Sequence, residues 1–184
     1  SFGVMAGYSW QHVYVESDSK TTKKSDESVL NEFVDKSEYF LVSFFARANY
    51  SYDNRYMATV TVREDGTSRF QNNKWGLFPS VALGWNIKGE QFLKNEKAVS
   101  NLKLRLSWGQ TGQQDLNAGD YPTLASYQTN LTGSYYQFGD RLIIPISPLG
   151  YNADLKWETT TTYNVGIDYG FLNDRIYGTV DVYY

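Results

Sequence analysis

The stretch FLVSFFARANYSYDNRYMATVTV (40–62) decides the fold, because apolar and polar residues alternate through most of it. A period of two is typical of a strand with one apolar face. In the first half that face carries Phe40, Val42, Phe44, Ala46, Ala48, Tyr50 and Tyr52. It continues for about 13 residues, longer than a usual strand and enough for the roughly 9–11 residues that cross a bilayer. YDNR (52–55) then predicts a tight turn.

Similar alternation recurs on both sides, giving about seven runs in all. The other apolar faces run through 2–14, 56–62, 81–87, 102–108, 157–169 and 176–184. We interpret the polar stretch 16–37 and the segment 64–80 as loops, with an Asp-Gly turn at Asp65–Gly66. The remaining connections are 88–100, with a short helical turn, a long loop that ends near 155, and the short turn FLND (171–174). Alternation of short turns with long loops is typical of a transmembrane β-barrel.

Aromatic residues cluster at the two ends of these faces, as in the interfacial belts of membrane proteins. The predicted belt at the short-turn end contains Tyr50, Tyr52, Tyr56, Trp85, Tyr169 and Phe171. The predicted belt at the long-loop end contains Trp10, Tyr14, Phe40, Trp108 and Trp157.

Composition argues against several function classes. The net charge of −3 gives no basic surface for nucleic acid, and the absence of cysteine excludes cysteine-rich zinc modules. A single histidine, His12, offers neither a metal pair nor the base of a triad, and no nucleotide-binding or hydrolase motif is present. We therefore expect no enzyme activity, no metal and no cofactor. The 16 Tyr, 10 Phe and 5 Trp accompany a mean hydropathy of only −0.49, as expected when lipid-facing and lumen-facing residues alternate.

Four segments resemble the barrel of the SusC/RagA family of TonB-dependent transporters, in the same order and with compatible spacing. They are ARANYSYDNRYMATVTVREDGTSRF (46–70), KWGLFPSVALGWNIKGEQFL (74–93), NLKLRLSWGQTGQQD (101–115) and LKWETTTTYNVGIDYGFLNDRIYGTVDVYY (155–184). The resemblance covers most of 39–115 and 155–184, and is weak in 16–38 and 116–154.

This resemblance implies an all-β, antiparallel transmembrane β-barrel in the bacterial outer membrane. Residues 1–184 would form about seven strands of a roughly 22-stranded barrel with a plugged lumen. It also implies active import of a large nutrient such as an oligosaccharide or a peptide. The partners would be a SusD-like surface lipoprotein, the TonB–ExbB–ExbD energising complex and the surrounding lipid. The plug and the TonB-contacting segment of the family are not in this sequence, and both ends fall within strand patterns. We therefore expect a fragment that is stable only within a closed barrel.

Two groups of residues are candidates for function. Charged residues on the polar faces should point into the lumen: Arg47, Arg63, Lys103, Arg105, Asp168 and Asp181. Aromatic residues of the long loop could stack on sugar rings, contact a lid lipoprotein, or simply pack the loop: Tyr121, Tyr127, Tyr135, Tyr136 and Phe138.

The alternation also assigns individual side chains to the two sides of the wall. Phe44, Val60, Leu83, Leu104 and Ile167 should face lipid, and Arg47, Thr61, Arg105 and Asp168 should face the lumen. The alternative is a soluble, aromatic-rich β-sandwich that binds carbohydrate, in which the same aromatics would fill a core and the same charges would face water.

Overall fold

The computed structural model describes residues 1–116, 120–128 and 135–184, and its main element is an antiparallel sheet of seven strands. In chain order the strands of the protein are β1 (Phe2–Thr22), β2 (Val29–Tyr52), β3 (Tyr56–Thr67), β4 (Trp75–Asn86), β5 (Val99–Gln113), β6 (Tyr127–Gln128), β7 (Tyr136–Phe138), β8 (Arg141–Ile143), β9 (Ser147–Pro148), β10 (Glu158–Phe171) and β11 (Ile176–Tyr183). The sheet has the order β1-β2-β3-β4-β5-β10-β11, so each long strand pairs with the next long strand along the chain. The predicted all-β, nearest-neighbour arrangement is confirmed.

The helical content lies where the sequence predicts it, between β4 and β5. A 3-10 helix spans Ile87–Gly89 and a single α-helical turn, α1, spans Gln91–Lys94. Among the described residues, no helix is long and apolar enough to cross a membrane. The long connection between β5 and β10 contains two small antiparallel ladders, β6 with β9 and β7 with β8, which the sequence did not predict.

Strand register divides the sheet into an apolar face and a polar face, because directly opposed residues of paired strands point the same way. Phe44 lies opposite Tyr8, Val60 opposite Val81, and Leu104 opposite Ile167. On the other face Arg47 lies opposite Thr61, and Lys103 opposite Asp168. The register places the two predicted sets of side chains on opposite faces of the sheet, and the assignment of these faces to lipid and lumen stays a prediction. The long strands form one sheet rather than two stacked ones, so the sandwich alternative is wrong.

The polar stretch 16–37 is not a loop, and this prediction is wrong. The ladder of β1 with β2 continues to the pairing of Thr22 with Val29, so only 23–28 form the connection. Cross-strand ion pairs accompany this extension, with Lys20 2.8 Å from Glu32 and Lys36 3.0 Å from Glu16. A two-stranded ribbon that is solvated on both faces has no apolar face, so its sequence lacks the alternation that predicts a strand.

The prediction of a loop over 64–80 is wrong at both ends, and so is the Asp-Gly turn. β3 extends through Gly66, which lies opposite Trp75 at the start of β4. A Cβ on Gly66 would stand 2.7 Å from the Trp75 ring. The lack of a side chain at Gly66 therefore allows the Trp75 indole to pack closely against the opposite strand. Gly66 does not form part of a turn.

The membership of Trp157 in an aromatic belt is also wrong. Its side chain is 8% exposed and belongs to a small core with Phe70 and Phe78. Its indole N–H donates to the Lys74 carbonyl oxygen at 3.0 Å. Trp157 thus holds the start of β10 against the connection between β3 and β4.

The short-turn end of the sheet combines a left-handed backbone turn with one carboxylate, that of Glu90, which accepts several hydrogen bonds. Asp53 and Asn54 have φ of 51° and 52°, a conformation that short polar residues tolerate in hairpin turns. Beside this turn, Glu90 accepts hydrogen bonds from the Tyr56 hydroxyl at 2.6 Å and from the Trp85 indole at 3.1 Å. The Arg55 guanidinium also donates to Glu90, at 3.2 Å. The connection 87–98 is thereby joined to the hairpin turn.

The first prediction concerns the apolar face. Leu104→Arg places a charge near the middle of the strand on the face assigned to lipid, and should destabilise the full-length protein by about 2–4 kcal/mol. The measurement is denaturant-dependent folding into lipid vesicles. Ser107→Arg is the matched control, because Ser107 lies opposite Ala82 on the polar face of the same strand. Equal stability of Leu104→Arg and wild type would contradict the assignment of this face to lipid.

The second prediction concerns pH. The Tyr56 hydroxyl, followed by the Trp85 indole and Arg55, lowers the pKa of Glu90 below its usual 4.5. Because the folded state favours the ionised carboxylate, Glu90 stabilises the fold at pH values above its pKa in the unfolded chain. This contribution is lost as the pH falls through the pKa of Glu90 in the folded protein. Thermal unfolding should therefore show Glu90→Gln to be less stable than wild type at pH 7, with the difference vanishing at a pH below the lowered pKa. A pH-independent difference would contradict a role for the charge.

Candidate functional site

The polar face carries a three-residue ion cluster near the short-turn end. Arg105 makes two hydrogen bonds to Asp168 through Nε, both at 3.1 Å, and a third through its terminal nitrogen at 2.9 Å. The same guanidinium lies 3.0 Å from Asp181, and the Thr179 hydroxyl donates to Asp168 at 3.0 Å. A side chain on Gly166 would collide with Asp181 and Arg105, so glycine leaves the space in which the cluster forms. Lys103 lies opposite Asp168 in the ladder.

Arg47 and Arg63 share this face but stand apart from the cluster. Arg47 Nε donates to Asn49 at 3.2 Å. Arg63 Nε binds both carboxylate oxygens of Asp65, at 2.7 and 2.9 Å, and its terminal nitrogen donates to Ser43 Oγ at 3.1 Å. The structure therefore places all six predicted charged residues on one face and brings three of them together.

A compact aromatic core fixes the base of the long loop on the polar face. Trp157 packs edge-on against Phe70 and Phe78, with ring centroids 6.0 and 5.6 Å apart. A Cβ on Gly112 would lie 1.9 Å from the Phe78 ring, and a Cβ on Gly76 would lie 2.6 Å from it. Because these two glycines have no side chains, the Phe78 ring can lie directly over the backbone of β4 and β5. There it meets Trp157 in an edge-to-face contact, which aromatic pairs favour.

Arg69 is the polar counterpart of this core and is only 5% exposed. Its Nε donates to the Asp120 carbonyl oxygen at 3.0 Å, and its guanidinium lies 5.1 Å from the centre of the Tyr39 ring. The carboxylates of Asp115 and Asp120 each approach it at 3.7 Å. The Arg69 carbonyl oxygen accepts a hydrogen bond from the buried Thr123 hydroxyl at 3.1 Å. One residue between β3 and β4 therefore holds both the start of the loop and β2.

The predicted loop aromatics fall into two groups. Tyr121 belongs to the base, where its hydroxyl donates to the Glu38 carbonyl oxygen. The remaining four are exposed and lie in or beside the small ladders: Tyr127, Tyr135, Tyr136 and Phe138. Of the loop predicted over 116–154, residues 117–119 and 129–134 lie outside the described residues. We call 135–143 the distal hairpin, which also exposes Leu142 and Ile143.

Between the base of the loop and the polar face lies a cavity of about 400 Å³. Ser9 and Gln11 of β1 line one side, and Gln113 and Gln114 at the end of β5 line the other. Sequence reasoning did not identify these Ser and Gln residues as a site, since isolated Ser and Gln residues carry no motif. It noted Arg69 only as part of the charged stretch 63–70, and the anchoring role of Arg69 was not predicted. In the described part of the chain, no group of three or more His, Cys, Asp or Glu residues could hold a metal ion.

The third prediction tests the anchoring of the loop. Arg69→Ala removes hydrogen bonds to a charged donor, and should destabilise the anchored loop by about 1.5–3 kcal/mol. The fraction of molecules in which the loop has detached from the sheet should then rise about tenfold or more. The rate at which protease cleaves the loop in intact outer membranes should rise by the same factor. Arg141→Ala, the same change at an exposed position of the distal hairpin, should leave the rate unchanged. Equal cleavage of the two variants would contradict the role of Arg69.

Comparison with known proteins agrees with this architecture. The family model described as "TonB dependent receptor-like, beta-barrel" matches residues 1–184. The TonB-dependent receptor SusC of Bacteroides thetaiotaomicron is 44% identical over 191 aligned residues, covering 100% of this chain and 19% of SusC. The TonB-dependent receptor P39 of Formosa agariphila is 38% identical over 150 residues, covering 81% of this chain and 14% of that receptor.

Solved structures give the same result at the level of the fold. The structure of the RagAB peptide transporter superposes with a TM-score of 0.74 and 28% identity, covering 99% of this chain and 21% of that one. The RagAB peptide importer in its open-open state gives a TM-score of 0.75 and 29% identity. The chain thus spans between 14% and 21% of the length of these relatives. The apolar and polar faces, the strand order and these matches together show that the chain belongs to the TonB-dependent receptor β-barrel family, in the SusC/RagA group of outer-membrane transporters.

Proposed function

We propose that this chain forms part of the barrel wall and extracellular surface of an active importer of a large nutrient, such as an oligosaccharide or a peptide. Its role would be transport rather than catalysis. The observation that carries the proposal is the division of one continuous sheet into an apolar face and a hydrogen-bonded polar face. That division suits a wall between lipid and a polar lumen.

The charged residues of the polar face would contribute to the lumen. Arg105 pairs directly with both Asp168 and Asp181, and Lys103, opposite Asp168, supplies the second positive charge that balances the two carboxylates. A wall of this kind offers polar contacts to a plug or to a passing nutrient, without a strong field of one sign. RagAB is described as a peptide transporter, so peptides are one class of nutrient to consider for this chain.

The distal hairpin would contact a SusD-like surface lipoprotein that acts as a lid. Tyr136 and Phe138 are 63% and 67% exposed, and Ile143 pairs with Tyr136 across the ladder. Apolar side chains gathered at an exposed site mark interaction surfaces, and aromatic residues are enriched among those that contribute most to binding. Packing of the loop explains Tyr121, which is bonded to Glu38, but does not explain these exposed rings.

The fourth prediction follows from both parts of the proposal. Cells that express the full-length transporter and its lipoprotein should take up labelled oligosaccharides or peptides, and an uncoupler or loss of TonB should reduce uptake to the level of cells without the transporter. Tyr136→Ser with Phe138→Ser should weaken co-purification of the lipoprotein about tenfold or more. Phe33→Ser is the control, since Phe33 is similarly exposed on the ribbon of β1 and β2.

Two results would count against the proposal. Uptake that is insensitive to the uncoupler and to TonB would contradict active import. Undiminished co-purification of the lipoprotein with the distal-hairpin variant, or an equal loss with Phe33→Ser, would contradict the assignment of the contact to that hairpin.

A further inference from the structure

We infer that the apolar face of the sheet holds one zwitterionic glycerophospholipid at a defined site. One acyl chain fills a recess above Ala58, and the headgroup lies against the turn that contains Asp53 and Arg55. The inference rests on the proposed function, which assigns this face to lipid. It adds a specific ligand and the residues that hold it.

The recess arises because a small residue stands among large ones. Ala58 of β3 lies opposite Tyr50 of β2 on one side and opposite Leu83 of β4 on the other. Nearer the short turn, Tyr56 lies opposite Trp85 and closes that end of the recess. The space measures about 420 Å³, within the roughly 300–1,000 Å³ of ordinary ligand pockets. Its large lining residues are Tyr50, Tyr56, Leu83, Trp85, Leu104 and Leu106.

Glu90 holds the two aromatic walls at the short-turn end. It accepts hydrogen bonds from the Tyr56 hydroxyl at 2.6 Å and from the Trp85 indole at 3.1 Å. Because one carboxylate engages the polar atoms of both side chains, both rings are positioned before a ligand binds. Binding to such a preformed site requires less ordering of side chains than binding to mobile ones.

An acyl chain is the ligand that this recess fits. The exposed lining is almost wholly apolar, so a ligand rich in hydroxyls or charges would lose hydration here without compensation. On a flat part of the face, a lipid chain contacts protein on one side only. In the recess it contacts the floor and the walls together and gains more dispersion energy. Because short turns of outer-membrane barrels lie on the periplasmic side, the recess opens to the periplasmic leaflet.

The charges beside the recess match a zwitterionic headgroup. The Arg55 guanidinium lies 5.8 Å from the centre of the Tyr56 ring, and 2.7 Å from the Asp53 carboxylate, which is 65% exposed. Arg55 also pairs with Glu90, so two carboxylates and one guanidinium give this group a net charge of −1. An anionic headgroup would meet this excess negative charge. The ammonium of a zwitterionic headgroup can instead bind Asp53 while its phosphate accepts a hydrogen bond from Arg55.

The test measures lipid binding to the full-length transporter by native mass spectrometry after extraction in mild detergent. The probe is palmitoyl-oleoyl phosphatidylethanolamine, and the corresponding phosphatidylglycerol is its anionic counterpart. Ala58→Leu fills the recess and should weaken binding of the phosphatidylethanolamine about tenfold. Ala46→Leu is the matched control, because Ala46 lies on the same face outside the recess, opposite Ala6 and Val62.

Two further measurements locate the chain and the headgroup. A phosphatidylethanolamine with a diazirine on its acyl chain should cross-link to peptides that contain 56–58 or 83–85, and Ala58→Leu should abolish this labelling. Asp53→Asn removes the carboxylate but keeps a residue type that tolerates the φ of 51° in this turn. It should lower the preference for phosphatidylethanolamine over phosphatidylglycerol about two- to fivefold.

Heat-modifiable gel migration establishes that each variant is folded, and Ala58→Val is a smaller filling variant if Ala58→Leu is not. The inference is wrong if wild type retains no phosphatidylethanolamine, if the two leucine variants bind it equally, or if phosphatidylglycerol binds as well. Cross-links spread evenly over the apolar face would also overturn it, since they would show ordinary boundary lipid only. Energised uptake by wild type is measured in parallel. Uptake without the lipid site would refute the site alone, whereas a lipid site without uptake would refute active import.

Discussion

Satisfaction of the backbone hydrogen bonds is the constraint on which the rest of this structure depends. Where a strand has no water beside it, each N–H and C=O must pair with a neighbouring strand. The ladders from β1 to β11 meet this requirement in an unbroken antiparallel series. Once the ladders are in register, the face of every side chain is fixed, and a shift by one residue would exchange the faces. Leu104 and Arg105 are neighbours in sequence and opposite in environment for this reason.

The same constraint explains how much of the fold could be predicted. Alternation predicted the central parts of the long strands, such as the residues around Val60. A strand with one apolar and one polar face has apolar residues at every second position, and this period is visible in the sequence. The turn at Asp53 and Asn54 was predicted because residues that tolerate positive φ stood between two runs. The ribbon over 16–37 was missed because strands solvated on both sides need no apolar face. The polar residues of 16–37 indicate only that this segment is exposed to water. They do not indicate whether its backbone is hydrogen-bonded to another strand.

The site was predictable only in part. Because successive residues of a strand point to opposite faces, the sequence predicted that Arg63 and Arg105 lie on the polar face, although it did not predict their partners. The cavity and the anchor of the long loop were not predictable, because they depend on contacts between distant residues. Arg69 and Asp120 are 51 positions apart, and Trp157 meets Lys74 across 83. Trp157 also shows the limit of composition: an aromatic residue at a strand end suits an interfacial belt, but here it fills a core.

The anchor has a consequence for how such surfaces change over evolution. Phe70, Phe78, Trp157 and Arg69 hold the two ends of the long loop against the sheet, while the distal hairpin makes its own small ladder. The contacts that hold the wall together therefore do not depend on which residues the distal hairpin contains. Substitutions or insertions in 135–143 would change an exposed surface while leaving the contacts of Phe70, Phe78, Trp157 and Arg69 in place. Such an arrangement lets the outer part of the loop vary in sequence independently of the wall that carries it.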